Sequence, residues 1–143
     1  MRGVRSVSKQ KIDGITDLVD ELANYSSRGI PILVEGKKDE LALKELGIRG
    51  RIIRVRQHSK RLFELVEELA PYTAVIVLTD FDQEGEKLAD ELSRRLSSLG
   101  VQTIMRDKFR NAVSWACRQI EGLYKIDGLR ENLNNRRFIL KAS

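Results

Sequence analysis

The amino-acid sequence predicts an open α/β sheet of four strands that run mainly parallel. Short runs of branched apolar residues alternate with longer segments in which apolar side chains recur every three or four positions. Strands joined by single helices pair in parallel through right-handed crossovers, so helices are expected on both faces of the sheet. The chain has 143 residues, of which 41% are hydrophobic, and this suffices for one ordinary folded domain.

The first half of the chain contains an N-terminal helix and two pairs of strand and helix. The N-terminal segment has the apolar stripe of an amphipathic helix, and IPILVEG has the composition of a buried strand. The helix after IPILVEG is expected to end at Gly47, since glycine commonly follows the last helical turn. The predicted elements are a helix at residues 12–25, a strand at 30–36, a helix at 37–47, a strand at 51–56 and a helix at 59–70.

The second half begins with the most apolar strand of the chain, TAVIVLT, which leads directly into the acidic segment DFDQEG. A helix from about Gly85 to Ser98 and a fourth strand, VQTIM, are expected next. The remaining residues predict a further helix and then a basic tail. The inward face of that helix is expected to carry Phe109, Val113, Ala116, Ile120 and Leu123.

This pattern suggests a central sheet with appendages at both ends. Residues 1–29 form a helical extension, residues 30–106 form the core, and residues 107–143 form C-terminal helices and a basic tail packed on the same domain. These boundaries follow the first and last predicted strands.

Composition and charge exclude several classes of protein. Cys117 is the only cysteine, so one chain can form neither an internal disulfide nor a cysteine-based zinc site. We find no apolar run long enough to cross a bilayer and no apolar secretion signal, so we expect a cytoplasmic protein without a membrane partner. The net charge of +5 and a pI near 9.5 favour attraction to a polyanion such as nucleic acid.

Acidic residues follow two of the predicted strands. Glu35 ends the first strand, and the third strand is followed by acids at alternate positions. Ligands of open α/β sheets bind outside the carboxyl ends of the strands, so both groups are expected at one edge. Extended backbone would place Asp80 and Asp82 on the same face, whereas Glu84 joins them only if the next helix begins after it.

Clustered carboxylates repel one another and remain ionised together only when a cation lies between them. Mg²⁺ prefers oxygen ligands and is usually held by one or two carboxylates, with water and phosphate oxygens completing its shell. The acidic edge therefore predicts a magnesium site, with Mn²⁺ as a substitute, at which a phosphodiester could be polarised.

Glycines and basic residues flank the same edge. Gly36 and Gly85 carry no side chain that would keep a phosphate at a distance, and Lys37 and Lys38 begin a helix whose dipole favours an anion. Basic residues around the second strand could follow a phosphate backbone or simply face solvent, as arginine and lysine usually do. The candidates around that strand are Arg54, Arg56, Lys60 and Arg61.

Two segments, ILVEGKKDELALKEL and VIVLTDFDQEGEKLADEL, resemble the two signature motifs of the Toprim domain. This family includes type IA and type II topoisomerases, bacterial primases, OLD-family nucleases and the nuclease that matures 5S ribosomal RNA. The resemblance covers roughly residues 30–105 and is greatest to small, stand-alone, primase-like Toprim proteins. It implies a general acid or base at Glu35 and magnesium ligands at Asp80 and Asp82, with Glu84 as the third acid of the motif.

Residues 80–91 also nearly match the calcium-binding loop of an EF-hand, with acids at the first, third and fifth places and glycine at the sixth. An EF-hand requires a helix before its loop, and here the preceding segment is predicted to be a strand. We therefore expect the Toprim interpretation to hold.

Three functions remain open. The favoured one is Mg²⁺-dependent nuclease activity, namely endonucleolytic cleavage of structured RNA. A primase-like nucleotidyl transfer at the same site would need a nucleoside triphosphate site, for which we find no separate glycine-rich loop. A non-catalytic nucleic-acid-binding subunit of a ribonucleoprotein or ribosome-related particle would keep the metal site without turnover.

Overall fold

The computed structural model describes residues 8–56, 61–113, 122–123, 126 and 128–142. Within these residues, helices and strands alternate along the chain until the last strand, after which only helices follow. The elements are α1 (Lys9–Ser27), β1 (Ile32–Val34), α2 (Lys37–Glu45), β2 (Ile52–Arg54), α3 (Leu62–Leu69), β3 (Ala74–Val77), α4 (Gln83–Ser97), β4 (Gln102–Ile104), α5 (Arg106–Val113) and α6 (Leu129–Ala142).

The four strands form one sheet in the order β2-β1-β3-β4, and every neighbouring pair is parallel. At the centre, Ile32 of β1 lies between Ile52 of β2 and Ile76 of β3. The edge strand β4 pairs with β3 from Ala74 opposite Gln102 onwards. The predicted open, mainly parallel sheet flanked by helices is thus confirmed, with extra helices at both ends.

The handedness of the crossovers decides which face each helix covers. The chain moves from β1 to β2 in one direction across the sheet and then from β2 to β3 and β4 in the other. Right-handed connections therefore place α2 on one face and α3 and α4 on the opposite face. Two separate apolar clusters reflect this division: one joins the sheet to α1, α2, α5 and α6, and the other joins it to α3 and α4.

Helix α1 packs against α5 and α6, away from α3 and α4. Its apolar stripe is buried, and its polar side chains bond to α6, where Asn132 Nδ2 donates to Asp13 Oδ1 at 2.7 Å. Arg136 of α6 pairs with Asp20 of α1 at 3.3 Å, and Arg137 donates to the carbonyl of Leu46. Basic residues of the predicted tail are therefore used in packing. The division into three segments stays a prediction.

Several boundaries differ from the predicted ones for local reasons. Helix α4 begins at Gln83 instead of near Gly85, because Asp82 caps it. Helix α3 begins at Leu62, with Arg61 as its N-cap. Phe109 and Leu123 are buried as predicted, whereas residues 114–121 of that predicted helix, including Ala116, Cys117 and Ile120, lie outside the described residues. Helix α6 spans most of the predicted basic tail.

Among the described helices, none is both long enough and apolar enough to span a bilayer.

Replacement of Phe109 should be the more costly of two phenylalanine truncations. Phe109 is fully buried in the cluster on the α1 side of the sheet, whereas Phe63 of α3 is half exposed. Phe109→Ala is expected to lower the free energy of unfolding by about 3–5 kcal/mol, because it leaves a cavity. Phe63→Ala should change it by about 0.5 kcal/mol. Equilibrium denaturation by urea measures both, and equal losses would contradict this placement of the core.

Candidate functional site

The candidate site lies where the direction of the crossovers reverses. Strands β1 and β3 are neighbours, yet α2 leaves β1 towards one face and α4 leaves β3 towards the other. This arrangement opens a crevice outside the carboxyl ends of the two strands, which is where open α/β sheets bind their ligands. Glu35 directly follows β1, and Asp80 lies three residues beyond the end of β3. The predicted meeting of the two acidic segments therefore occurs.

A hydrogen bond links the two strand exits. Glu35 is buried, with 4% of its surface exposed, and its Oε1 accepts from the backbone N–H of Asp80 at 3.3 Å. The carbonyl oxygen of Glu35 accepts from the N–H of Arg56 at 3.0 Å, which continues the pairing with the chain beyond β2. Glu35 thus lies at the junction of three consecutive strands of the sheet.

Asp80 has an environment that disfavours its charge. Its Oδ1 is buried and accepts no hydrogen bond from the described part of the chain. Burial, followed by the negative charges of Glu35, Asp39 and Asp82, raises the pKa of Asp80 to about 7, while Arg56 acts in the opposite direction. A buried carboxylate oxygen without a donor, surrounded by other acids, is what a bound cation would stabilise.

Asp82 caps the following helix. Its Oδ1 accepts from the N–H of Gly85 at 2.8 Å, and its backbone is extended. This is the ordinary helix-capping role of an acid at such a position. The same residue also contributes negative charge at Asp80, so capping and a place beside the acidic site occur together.

Glu84 takes a different position from the other acids. Because α4 begins at Gln83, Glu84 lies in the first helical turn, and its side chain is 80% exposed. It reaches the site through Arg56, whose Nη2 lies 3.2 Å from the Glu84 carboxylate. The condition for Glu84 to join the two aspartates, a helix that begins after it, is not met. Its role as a metal ligand stays a prediction.

Arg56 spans the acidic site. Its Nε donates to Oε2 of Glu35, and its side chain remains about half exposed. The hydrogen bond to Glu35, with a smaller effect from Glu84, raises the pKa of Arg56, so the guanidinium stays charged. Arg56 therefore compensates part of the negative charge at this edge, in addition to its predicted availability for phosphate.

The other predicted phosphate-binding residues are more dispersed. Lys37 and Lys38 are exposed in the first turn of α2, after the cap residue Gly36. Arg54, the last residue of β2, pairs with Glu40 in the first turn of α2 at 3.0 Å, so its charge is shared with that acid. Arg61 is exposed at the start of α3, and Lys60 lies outside the described residues.

Sequence reasoning missed Asp39. This residue is buried, its Oδ2 accepts from the N–H of Gly36 at 3.3 Å, and its charge contributes to the raised pKa of Asp80. The signal was present in the sequence, because an acid three residues after a helix cap commonly bonds back to the cap N–H. Only the fold shows that this acid lies near Asp80.

Gly85 is required by the loop itself. A Cβ at this position would lie 1.9 Å from the carbonyl oxygen of Asp80, far inside van der Waals contact. The hydroxyl of Thr79 donates to the carbonyl of Gly85 at 2.9 Å and draws the two ends of the loop together. The prediction assigned this glycine to phosphate approach, and the structure adds the close approach of backbone to backbone.

The donor chemistry of the site suits a divalent cation. Over the described ranges, no three acidic, histidine or cysteine side chains converge into a ready-formed metal cage. Oδ1 of Asp80, which has no donor in the described part of the chain, and the neighbouring carboxylate of Asp82 nevertheless match the oxygen ligands that Mg²⁺ prefers. Two carboxylates suffice because Mg²⁺ usually keeps several waters. These two residues would hold the ion, beside Glu35.

Comparison with known proteins identifies the family. The family model described as "Toprim domain" matches residues 31–112, which includes all four strands and the acidic edge. The chain belongs to the Toprim family. The resemblance inferred from its two motifs is confirmed, and the strand before Asp80 excludes the EF-hand interpretation.

Relatives of this Toprim protein occur in archaea. A "UPF0292 protein" of Methanosarcina acetivorans is 36% identical over 121 residues, which cover 82% of this chain and 83% of the relative. One from Thermococcus onnurineus is 36% identical over 110 residues, covering 76% and 79%. A solved structure, "putative protein from Aquifex aeolicus", aligns with a TM-score of 0.62 at 32% identity, covering 74% of this chain and 94% of that one. Toprim domains typically bind a divalent metal such as Mg²⁺, and the family indicates an activity related to nucleic acid.

Gly85→Ala should destabilise the Toprim domain, whereas Gly14→Ala should stabilise it. The added methyl group at Gly85 would collide with the Asp80 carbonyl, and such overpacking typically costs about 1–3 kcal/mol or more. Gly14 lies within α1 with nothing within 4 Å of an added Cβ, so alanine there should add about 1 kcal/mol. Thermal unfolding of both variants checks this, and an unchanged melting temperature in Gly85→Ala would contradict the close approach of the backbone.

In the presence of a chelator, Asp80 should make the free energy of unfolding depend on pH. The folded chain holds the Asp80 proton up to about pH 7, whereas the unfolded chain releases it near 3.8. The folded state therefore binds more protons in between, and the free energy of unfolding should fall as pH rises through this interval. Asp80→Asn should remove this fall and be more stable than wild type at pH 8. Urea denaturation across pH measures it, with exposed Glu67→Gln as the control.

Proposed function

We propose that this Toprim protein cleaves phosphodiester bonds in structured RNA with the help of a divalent cation. One observation carries the proposal: the buried Oδ1 of Asp80 has no donor among the residues that the structure describes, and it lies among other acids at the crevice between β1 and β3. Such an oxygen favours a bound cation, and the basic charge of the protein favours an anionic polymer beside it.

The acids divide into two roles. Asp80 and Asp82 hold Mg²⁺, for which Mn²⁺ can substitute, because carboxylate oxygens suit both ions. When bound, the ion withdraws charge from a phosphodiester oxygen and stabilises the leaving oxygen. Glu35 lies next to Asp80 and exchanges a proton with the nucleophile or the leaving group. Its carboxylate form accepts a proton, and its carboxylic acid form donates one.

Arg56 controls whether Glu35 is accessible. In the structure the Arg56 guanidinium donates a hydrogen bond to Oε2 of Glu35, yet about half of the Arg56 side chain faces solvent. A phosphate group that enters the crevice offers the guanidinium a stronger bidentate partner. Arg56 then turns to the phosphate and leaves Glu35 free to exchange a proton.

Helix termini add to phosphate binding. Both α2 and α4 begin at this edge, and the unpaired N–H groups and dipole of a helix N-terminus favour an anion. Lys37 and Lys38 extend from the first turn of α2 into solvent, where they can contact the backbone of a polymer. These contacts position the substrate and do not read its bases.

The surface favours a structured substrate over a single strand. Binding of single strands relies on exposed aromatic side chains on which bases stack. Among the described residues, the exposed large apolar side chains are Leu41, Phe63 and Leu99, of which only Phe63 is aromatic. Folded RNA is recognised through its shape and backbone, which suits basic side chains and helix termini.

A cleavage assay tests this proposal. Labelled structured RNA, single-stranded DNA and duplex DNA are incubated with the protein and Mg²⁺, Mn²⁺ or a chelator. We expect the RNA to be cut only with metal, and Glu35→Gln and Asp82→Asn to lower the rate by about 100-fold or more. Asparagine still caps a helix and glutamine keeps an acceptor for the Asp80 N–H, so both variants should fold. Glu67→Gln is the exposed control.

The remaining outcomes separate the alternatives. Salt-sensitive binding without cleavage, equal in wild type and both variants, would refute catalysis by the chain and indicate a nucleic-acid-binding subunit. Incorporation of labelled nucleoside triphosphates into product would indicate nucleotidyl transfer at the same acids. Preferential cutting of duplex DNA would refute RNA as the substrate while keeping the chemistry.

A further inference from the structure

Arg106 is a buried arginine that contacts the backbone of the acidic loop. It is the first residue of α5, directly after Met105, a residue with left-handed backbone (φ 73°), and only 9% of its surface is exposed. Its Nη1 donates to the carbonyls of Val77 at 3.2 Å and Thr79 at 2.8 Å, and its Nη2 donates to the carbonyl of Asp80 at 2.9 Å. One guanidinium thus satisfies three carbonyl groups around the exit of β3.

The next residue of the loop is also held by Arg106. The guanidinium carbon lies 4.7 Å from the centre of the Phe81 ring, in the range of a cation–π contact. Arg106 therefore touches Thr79, Asp80 and Phe81 in succession.

The charge of Arg106 is balanced within its own neighbourhood. Glu86 of α4 pairs with Arg106 at 3.0 Å and with Arg110 at 2.6 Å, and Arg110 pairs in turn with Asp107 at 2.7 Å. Two positive and two negative side chains form this network, so their formal charges cancel. Arg106 can therefore hold the loop without adding net positive charge that would repel a cation at Asp80.

We propose that Arg106 is a positioning residue for the divalent-cation site, and this inference rests on the proposed function. The Asp80 N–H donates to Glu35, its carbonyl accepts from Arg106, and the carbonyl also lies against Gly85. These contacts fix the backbone of Asp80 and leave its carboxylate as the group that meets the cation. Loss of Arg106 removes the donors of three carbonyls at once, so the loop loses its single conformation and cation affinity falls.

Binding of Mn²⁺ alone, measured by electron paramagnetic resonance of the free ion, tests this role without substrate or turnover. Arg106→Gln is expected to weaken Mn²⁺ binding by about 10-fold or more, as is typical for partners that orient metal ligands. Arg110→Gln is the matched control, since Arg110 shares Glu86 but donates to none of the three carbonyls. Its Mn²⁺ affinity should stay within about 3-fold of wild type, below the loss expected for an orienting partner.

Amide hydrogen exchange distinguishes positioning from stability. A positioning role predicts faster exchange at the N–H groups of Asp80 and Gly85 in Arg106→Gln, at temperatures well below its unfolding transition. A purely structural role would lower the melting temperature in chelator and leave Mn²⁺ affinity unchanged. Wild-type affinity in a folded Arg106→Gln variant would therefore overturn the inference.

Two further variants keep the outcomes separate. If Arg106→Gln does not fold, Arg106→Lys tests the positioning role instead. Lysine keeps the charge, but its ammonium group cannot reproduce the planar fork that reaches three carbonyls. Wild-type Mn²⁺ affinity in Arg106→Lys would overturn the inference. Asp80→Asn tests the proposed function itself. If wild type does not bind Mn²⁺, or if Asp80→Asn binds it equally well, the cation site fails and the role of Arg106 fails with it.

Discussion

The close approach of Glu35 and Asp80 at the carboxyl edge of the sheet is the constraint on which the candidate site depends. It exists because β1 and β3, which are separated by a whole strand in the sequence, are neighbours in the sheet. Their parallel pairing brings both exits to one edge, and the opposite directions of α2 and α4 keep that edge open. A strand order in which β1 and β3 were not neighbours would leave the two acids apart.

The clustered carboxylates at this edge repel one another, and the fold compensates this repulsion only in part. Arg56 compensates Glu35 and Glu84, and helix caps use Asp39 and Asp82, but Oδ1 of Asp80 has no donor among the described residues. The site therefore combines rigid backbone with an unsatisfied charge. This combination is expected where a protein binds an ion at some cost in stability.

The loop that carries Asp80 is held on several sides by different physical means. Gly85 permits a close backbone approach, and the Thr79 hydroxyl donates a hydrogen bond that closes the loop. Arg106, at the start of α5, donates hydrogen bonds to carbonyls of the loop. Arg106 is buried at that position, and its ion pair with the partly exposed Glu86 offsets part of the cost of burying its charge. Helix α5, which follows the last strand of the chain, thus contributes to a site whose acids all come from earlier elements.

The sequence by itself determined the number of strands, their sequence along the chain, their parallel pairing and the expectation that Glu35 and Asp80 share one edge, because the apolar period and the alternation of strands with helices are local patterns with strong geometric consequences. Only the tertiary structure decided which charges pair. It turned Arg54 towards Glu40, Arg56 towards Glu35 and Glu84 outwards in a helix that begins earlier than predicted. It also brought Asp39 and Arg106 to Asp80. Side-chain pairing depends on distances between elements that are far apart in the chain, and spacing along the chain carries no record of those distances.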